Sequence, residues 1–273
     1  MPVFDVNNLK INVERTGSGA PLVLLHGFTG SASSWGAHLG ILGEHFSCYA
    51  VDLIGHGQTE SPDDPERYCM ERCVEDLLVL FDRLEIEQTA LLGYSMGGRV
   101  ALQLAVAAPE RINALILESA SPGIPDASER TARVKADEAL AESIERDGLE
   151  AFIDYWERIP LFASQRNVPS DVWQRHRAQR LSNNPLGLAN SLRGMGAGAM
   201  QPVWAQLDAL TMPSLLIVGE LDEKYVRQGR EMAELMPNTS LTVVPNIGHA
   251  VHLEAPETFD RILMNWLTEQ VTE

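Results

Sequence analysis

Short, almost wholly apolar runs separated by longer amphipathic segments recur toward both ends of the chain. Each short run is typical of a parallel strand whose two faces are both covered. The intervening segments carry apolar residues at helical spacing, as in residues 68–84. Alternating strands and helices predict an α/β fold with a mostly parallel, doubly wound sheet. The predicted parallel strands are residues 21–25, 48–53, 89–92, 114–117, 214–218 and 240–244, and further helices are predicted near 35–42, 226–235 and 256–270.

Two segments depart from this pattern. Residues 3–16 alternate loosely between apolar and polar positions, which predicts two antiparallel edge strands and a turn. Between residues 121 and 205 no run is typical of a parallel strand, and the pattern is helical. The sequence therefore predicts an α/β core formed by residues 1–120 and 206–273, with a helical lid inserted at 121–205. The predicted lid helices are residues 128–146, 149–156, 170–181 and 186–192.

The first chemical signal lies between a predicted strand and the helix that follows it. The sequence Gly93-Tyr94-Ser95-Met96-Gly97 fits a G-x-S-x-G turn, in which a sharp bend exposes a serine. Glycine is needed because backbone segments approach too closely at this bend for a Cβ atom. The helix N-terminus that follows favours negative charge. The alternative interpretation is an ordinary N-cap serine, so the prediction of a nucleophile depends on partners elsewhere in the chain.

Two partners for Ser95 follow the last two predicted strands. Asp222 comes just after one of them and His249 just after the other. A serine hydroxyl needs a histidine to take its proton, and that histidine needs an acid to fix its tautomer. The order serine, acid, histidine is that of the α/β-hydrolase fold. The weaker alternatives are His252 as the histidine and Glu118 as the acid.

The loop after the first parallel strand is predicted to complete this site. His26 is expected to organise the loop by hydrogen bonding. The backbone N–H groups of Phe28 and Met96 are expected to form an oxyanion hole, which stabilises negative charge on a reacting oxygen. Ligands of such sheets bind beyond the carboxyl ends of the strands, where all of these residues fall.

The charge distribution changes the picture of the ligand. The chain has 38 acidic and 21 basic residues and a formal charge of −17, which argues against nucleic acid or an anionic membrane as a partner. Residues 158–205, by contrast, contain six arginines and a single acid, Asp171. A solvated helix face explains most of these arginines, yet the segregation also favours an anionic ligand. Arg99, one helical turn after Ser95, suits a bound carboxylate, and the alternative is an ion pair behind the sheet.

The remaining composition predicts no cofactor and no membrane insertion. The N-terminal residues lack the features of a signal peptide, and no stretch reaches the roughly 18 apolar residues that span a bilayer. The three cysteines, Cys48, Cys69 and Cys73, have no disulfide or metal-site spacing. No dinucleotide-binding fingerprint is present. A cytoplasmic location is expected, and the sequence makes no prediction of oligomeric state.

Residues 93–99, GYSMGGR, are similar to the signature of the 2-succinyl-6-hydroxy-2,4-cyclohexadiene-1-carboxylate (SHCHC) synthases, a menaquinone-pathway family on the α/β-hydrolase fold. The similarity covers nearly the whole chain and is most specific in the lid. One departure is Tyr225, where phenylalanine is frequent. Further matching segments are residues 119–123, 129–133, 155–156, 160–162, 180–184, 187–189, 201–202 and 219–224.

The resemblance implies an elimination that needs no cofactor. Ser95, activated by His249 and Asp222, would abstract a proton from the succinyl-bearing ring of 2-succinyl-5-enolpyruvyl-6-hydroxy-3-cyclohexene-1-carboxylate. Pyruvate would then be expelled. The resemblance also implies that the carboxylates of this small-molecule substrate bind Arg99, Arg133 and Arg180, and that Tyr94 and Trp156 line the pocket.

Two other functions share most of these residues. A serine C–C or ester hydrolase on the same fold would use the same three residues but would acylate Ser95. A non-catalytic small-molecule receptor would retain the pocket without turnover. A trapped acyl-enzyme would favour the first, and saturable binding without product would favour the second.

Overall fold

One eight-stranded sheet forms the centre of the protein in the computed structural model, which describes residues 3–270. Its strands are Val3–Val6 (β1), Leu9–Thr16 (β2), Ala20–Leu25 (β3), Phe46–Val51 (β4), Thr89–Tyr94 (β5), Ile112–Glu118 (β6), Ser214–Gly219 (β7) and Thr239–Val244 (β8).

The strand order is β1-β2-β4-β3-β5-β6-β7-β8. The two edge strands β1 and β2 are antiparallel to each other, and β2 is antiparallel to β4. All pairs from β4 onward are parallel. The predicted α/β class, the mostly parallel sheet and the antiparallel edge strands are therefore confirmed.

Helices cover both faces of this sheet. Within residues 3–270 no helix is long and apolar enough to cross a membrane. The α-helices are Gly36–Leu42 (α1), Met70–Arg83 (α2), Met96–Ala107 (α3), Ala127–Asp147 (α4), Leu149–Trp156 (α5), Ser170–Leu181 (α6), Pro185–Met195 (α7), Glu223–Leu235 (α8), Val251–Glu254 (α9) and Pro256–Gln270 (α10).

The apolar runs arise because each parallel strand is buried on both faces. In β3, Val23 and Leu25 pack with side chains of α2 and α3 on one face of the sheet. Leu22 and Leu24 pack with α1 and α10 on the other. All four are fully buried, so neither face tolerates a polar residue.

The chain leaves the sheet after β6 and returns at β7. Residues 121–205, which lie within this interval, are called the lid below. The lid contains α4 to α7 and a 3₁₀ segment at Pro160–Asn167. It has an apolar cluster of its own, which includes Ile144, Phe152 and Leu192. Phe28, from the loop after β3, packs against this cluster. The lid therefore contacts the loops at the carboxyl ends of the strands.

Two element boundaries differ from prediction in ways that affect the site. The strand predicted at 48–53 ends at Val51, because the Asp52 carboxylate accepts N–H groups from Ala32 and Gln58 and so holds two turns together. The helix predicted from residue 226 begins at Glu223. Asp222 thereby becomes the residue immediately before α8.

Candidate active site

The turn between β5 and α3 holds Ser95 in a strained conformation. Its φ of 51° and ψ of −105° lie outside the regions that non-glycine residues usually adopt. A Cβ atom at Gly93 would overlap the backbone of Gly97, and one at Gly97 would overlap the carbonyl oxygen of Leu25. The Ser95 N–H donates to the Glu118 carbonyl oxygen at 2.8 Å. The steric reason for glycine at this bend is therefore confirmed.

The structure brings the three predicted residues Ser95, His249 and Asp222 together in a hydrogen-bonded chain. Ser95 Oγ lies 2.9 Å from His249 Nε2, and His249 Nδ1 lies 2.5 Å from Asp222 Oδ2. His249 is only 1% exposed and Asp222 8%. Ser95 makes no side-chain N-cap hydrogen bond, so the alternative of an ordinary capping serine is wrong. This geometry permits the histidine to take the serine proton.

The two weaker alternatives, Glu118 and His252, are paired with each other instead. Both carboxylate oxygens of Glu118 lie 2.9 Å from His252 Nδ1. The Ser95 hydroxyl is hydrogen-bonded to His249. Neither Glu118 nor His252 therefore belongs to the hydrogen-bonded chain of Ser95, His249 and Asp222, which is called the triad below.

The loop after β3 is organised by His26, as predicted. Leu53 N–H donates to His26 Nε2 at 3.1 Å. The other ring nitrogen, Nδ1, therefore carries the proton and donates to the Gly27 carbonyl oxygen at 2.8 Å. The predicted oxyanion-hole residues are Phe28 of this loop and Met96 at the start of α3. Within residues 3–270 neither backbone N–H donates to a protein group, which leaves both able to bind a ligand oxygen.

His26 lies against a second buried histidine, His56, with ring centroids 5.0 Å apart. Burial lowers the pKa of His26 to about 4. Burial, together with the neighbouring His26, lowers the pKa of His56 to about 3. Both rings are therefore neutral in the folded protein at neutral pH.

We expect the free energy of unfolding to fall by about 1.4 kcal/mol per histidine for this pair as the pH drops from 7.5 to 5.5. Histidine in the unfolded chain titrates near pH 6.5, whereas folded His26 and His56 stay neutral until about pH 4 and about pH 3. The stabilisation is complete above pH 6.5 and is lost as the pH falls toward the folded-state pKa. Urea unfolding at the two pH values measures it.

A variant pair isolates this contribution. His56→Gln should reduce the pH-dependent loss by about 1.4 kcal/mol, whereas substitution of the exposed His45 by glutamine should leave it unchanged. Equal losses in the wild-type protein and His56→Gln would contradict the assignment.

Aromatic side chains enclose the triad histidine. The His249 ring centroid lies 5.4 Å from that of Tyr94, 4.7 Å from that of Tyr225 and 6.0 Å from that of Phe162 in the lid. Trp156, also in the lid, packs edge-on against Phe28 at 5.4 Å. The indole N–H of Trp156 is buried and has no hydrogen-bond partner within residues 3–270. A polar group of a bound ligand would satisfy it.

Arg99 is a partly buried cation next to this enclosure. Its Nη1 donates to the Met195 carbonyl oxygen at 2.7 Å. Within residues 3–270 no carboxylate lies within 4.0 Å of its guanidinium nitrogens, so the alternative of an ion pair behind the sheet is wrong. Burial lowers its pKa, and the charge of Arg133 acts in the same direction. The pKa of Lys224 is lowered, chiefly by desolvation. The positive charge of Arg133 lowers it further, and that of Arg99 does so more weakly. Arg99, Arg133 and the exposed Lys224 therefore lie close enough to influence one another's charge, and Asp222 also acts on Lys224.

Arg133 and Arg180, the other predicted carboxylate ligands, each have an acidic partner. Arg133 Nε lies 2.9 Å from both oxygens of Asp137. Arg180 Nη1 donates to Glu157 at 3.0 Å. A guanidinium has five N–H donors, so both side chains retain donors for a ligand.

Most other lid arginines are neutralised within the lid. The excess of positive charge counted over residues 158–205 is balanced largely by acids of α4 and α5, which lie outside that range. Most of these arginines are therefore explained without a ligand, as expected, and the segregation of charge does not by itself indicate an anion. Arg99, Arg133 and Arg180 remain the candidates for binding one. The balanced pairs are Arg175–Asp171, Arg177–Asp154, Arg177–Glu157, Arg193–Glu138 and Arg193–Glu145.

Sequence reasoning did not select Lys224, Tyr225 or Phe162 as site residues. Lys224 and Tyr225 lie two and three residues after Asp222, in the first turn of α8. Their closeness in sequence to a predicted triad acid could have indicated that they lie near the site. Phe162 lies in the 3₁₀ segment of the lid, Pro160–Asn167. The placement of this segment over His249 depends on tertiary packing. Within residues 3–270 no group of three or more histidine, cysteine, aspartate or glutamate side chains could hold a metal ion.

A family profile described as alpha/beta hydrolase fold matches residues 20–256. The chain belongs to the alpha/beta hydrolase family. Among members of this family, a Bacillus subtilis (strain 168) protein named "Putative 2-succinyl-6-hydroxy-2,4-cyclohexadiene-1-carboxylate synthase" is 44% identical over 90% of each chain. The 2-succinyl-6-hydroxy-2,4-cyclohexadiene-1-carboxylate synthase of Enterobacter sp. (strain 638) is 31% identical over 89% of this chain and 91% of its own.

A solved hydrolase-fold structure gives the same relationship. MenH from S. aureus is 34% identical and superimposes with a TM-score of 0.91, covering 96% of this chain and 99% of the other. The resemblance to SHCHC synthases drawn from the sequence is confirmed by these three relatives.

Proposed function

We propose that the protein is an SHCHC synthase of menaquinone biosynthesis. It eliminates pyruvate from 2-succinyl-5-enolpyruvyl-6-hydroxy-3-cyclohexene-1-carboxylate and leaves 2-succinyl-6-hydroxy-2,4-cyclohexadiene-1-carboxylate. The named relatives support the reaction class. The structural observation that carries the proposal is Arg99, a partly buried guanidinium one turn beyond Ser95 that hydrogen-bonds a carbonyl oxygen and, within residues 3–270, pairs with no carboxylate. Ester hydrolysis does not require such a cation, whereas a substrate with several carboxylates does.

The proton transfers follow from the triad geometry. His249 Nε2 takes the Ser95 hydroxyl proton, and Asp222 stabilises the resulting imidazolium. The serine oxygen removes the proton from the ring carbon that bears the succinyl group. The electrons of that C–H bond move through the ring double bond and break the C–O bond to the enolpyruvyl group. His249 returns its proton to the departing enolpyruvate, which becomes pyruvate.

Negative charge develops on the succinyl carbonyl oxygen during proton removal. The backbone N–H groups of Phe28 and Met96 are suited to bind that oxygen, because both are free of protein acceptors within residues 3–270. Charge-assisted donors from Arg99, Arg133 and Arg180 would hold the carboxylates. Tyr94 and Trp156 would form the walls of the pocket.

Replacing Arg99, Arg133 or Arg180 by alanine is expected to lower kcat/KM for pyruvate release by about 10- to 100-fold in each case. A charge-assisted hydrogen bond contributes about 1.5–3 kcal/mol, which corresponds to this range. A coupled assay of pyruvate with lactate dehydrogenase measures it.

Arg175 is the matched control for these three arginines. It is an exposed lid arginine that pairs with Asp171 at 2.7 Å, and Arg175→Ala should keep wild-type kcat/KM. Unchanged kinetics in all three site variants would remove the reason for choosing a polycarboxylate substrate.

Product stoichiometry tests the reaction class. One pyruvate should appear for each enolpyruvyl substrate consumed. An ester or C–C hydrolase, for which the same triad is competent, would instead show a burst of product with an activated ester and a covalently acylated Ser95. Saturable binding of the substrate without pyruvate would favour a receptor.

The location and partners belong to the same proposal. We place the reaction in the cytoplasm, where free thiols such as Cys48, Cys69 and Cys73 are usual. The formal charge of −17 disfavours nucleic acid and anionic membrane surfaces as partners.

A further inference from the structure

Glu118, at the end of β6, is a fully buried carboxylate (0% exposed) that the proposed mechanism does not use. Among residues 3–270, one residue makes all the hydrogen bonds to its side chain. The backbone N–H of His252 donates to Oε1 at 3.0 Å, and the Nδ1–H of the same histidine donates to the carboxylate at 2.9 Å. Burying a carboxylate costs free energy, which these hydrogen bonds offset. The cost raises the question of what the buried carboxylate does.

The main chain of the same residue holds the nucleophile. The Glu118 carbonyl oxygen accepts the Ser95 N–H at 2.8 Å, and this bond supports a turn whose φ is 51°. His252 lies three residues after His249. Glu118 therefore contacts the serine turn through its backbone and the histidine segment through its side chain.

Tyr94 fills the space between the two segments that Glu118 joins. Its ring centroid lies 4.6 Å from that of His252 and 5.4 Å from that of His249. A shift of His252 would therefore be transmitted to the triad histidine both along the chain and through this ring.

We propose that Glu118 is a positioning residue that sets the distance between Ser95 Oγ and His249 Nε2. Proton transfer needs these atoms about 2.6–3.2 Å apart, and a displacement of about 1 Å costs roughly 100-fold in rate. The proposal rests on Ser95 and His249 being the reactive pair, as the proposed function requires.

A second buried histidine–carboxylate pair provides a matched control. His38 Nδ1 and Asp260 Oδ1 are 2.6 Å apart and link α1 to α10. Both residues are buried. Within residues 3–270 neither side chain hydrogen-bonds to the serine turn or to residues 246–252. The His38 ring also packs edge-on against that of His252, with centroids 6.0 Å apart, so this pair touches the same histidine but makes no hydrogen bond to it. Loss of the pair should destabilise the fold, while the Glu118–His252 hydrogen bonds remain to hold the triad.

The test compares Glu118→Ala and Glu118→Gln with Asp260→Ala. Glu118→Ala should lower kcat for pyruvate release by about 10- to 100-fold while KM stays within about threefold. Glu118→Gln keeps an oxygen for the His252 N–H and should recover part of kcat. Asp260→Ala should lower Tm but keep kcat within about threefold. Equal loss of kcat in Asp260→Ala and Glu118→Ala, or wild-type kcat in Glu118→Ala, would overturn the proposal.

Two further measurements keep the test decisive. If Glu118→Ala does not fold, a crystal structure of Glu118→Gln decides: a lengthened Ser95–His249 contact supports the proposal, and an unchanged contact with reduced kcat overturns it. The rate at which a fluorophosphonate probe labels Ser95 depends on the serine–histidine pair but not on elimination. Slower labelling in Glu118→Ala than in Asp260→Ala therefore supports positioning even if the wild-type protein releases no pyruvate, and equal labelling rates oppose it.

Discussion

Ser95→Ala is expected to lower kcat for pyruvate release by about 10²- to 10⁴-fold, the range that general-base catalysis contributes. The Ser95 hydroxyl lies 2.9 Å from His249 Nε2. Alanine has no oxygen that can accept the proton from the ring carbon of the substrate. Substrate affinity should change little, because the carboxylate ligands remain in place. Steady-state pyruvate release measures the rate, and calorimetric titration of the variant with substrate measures the affinity.

Ser214→Ala is the control for this substitution. Ser214 is a buried serine at the start of β7, the opposite end of the sheet from the site, and its hydroxyl donates to the Met212 carbonyl oxygen. Its removal should leave kcat unchanged. Wild-type turnover by Ser95→Ala would show that another group removes the ring proton.

Asp222→Asn is expected to have a comparable or larger effect, about 10⁴-fold in kcat. Asp222 Oδ2 accepts the hydrogen of His249 Nδ1, with 2.5 Å between the two heavy atoms. This leaves Nε2 free to accept the serine proton. An asparagine can place its N–H₂ group against Nδ1 and so favour the opposite tautomer, whose Nε2 carries a hydrogen. The pyruvate assay measures the loss.

Asp260→Asn tests whether any buried carboxylate bound to histidine would give the same result. Its contact with His38 has similar chemistry and a similar distance of 2.6 Å, and the substitution should keep kcat within about threefold. A fully active Asp222→Asn variant would assign the acid's role to another residue.

The fold and the triad could be predicted from the sequence because local physical constraints determine them. Parallel strands buried on both faces must be apolar runs. The bend at Ser95 excludes side chains at Gly93 and Gly97. Strand ends of a parallel sheet meet at one edge, which brings Asp222 and His249 to the serine.

The ion pairs could not be predicted because their partners are distant in sequence. Glu118 and His252 are 134 positions apart, and the sequence offers each only as an alternative member of the triad, not as the partner of the other. Arg193 meets Glu138 across 55 positions, from α7 to α4. A count of charges within a window of the chain misses such partners, and it therefore overstated the positive charge of the lid.

The place of Arg99 near Ser95, by contrast, could be predicted because the two residues are close in sequence. Its position depends only on helical spacing from Ser95, and the structure places it beside the triad without an acidic partner within residues 3–270. Lys224 and Tyr225 also lie near the site, in the first turn of α8, which begins three residues earlier than predicted.

The most direct test of proton abstraction by Ser95 is the intact mass of the protein, quenched while it turns over the enolpyruvyl substrate. We expect the unmodified mass of the chain while pyruvate accumulates in a 1:1 ratio with substrate consumed. An acyl adduct on Ser95 that forms and decays at the rate of turnover would contradict this mechanism.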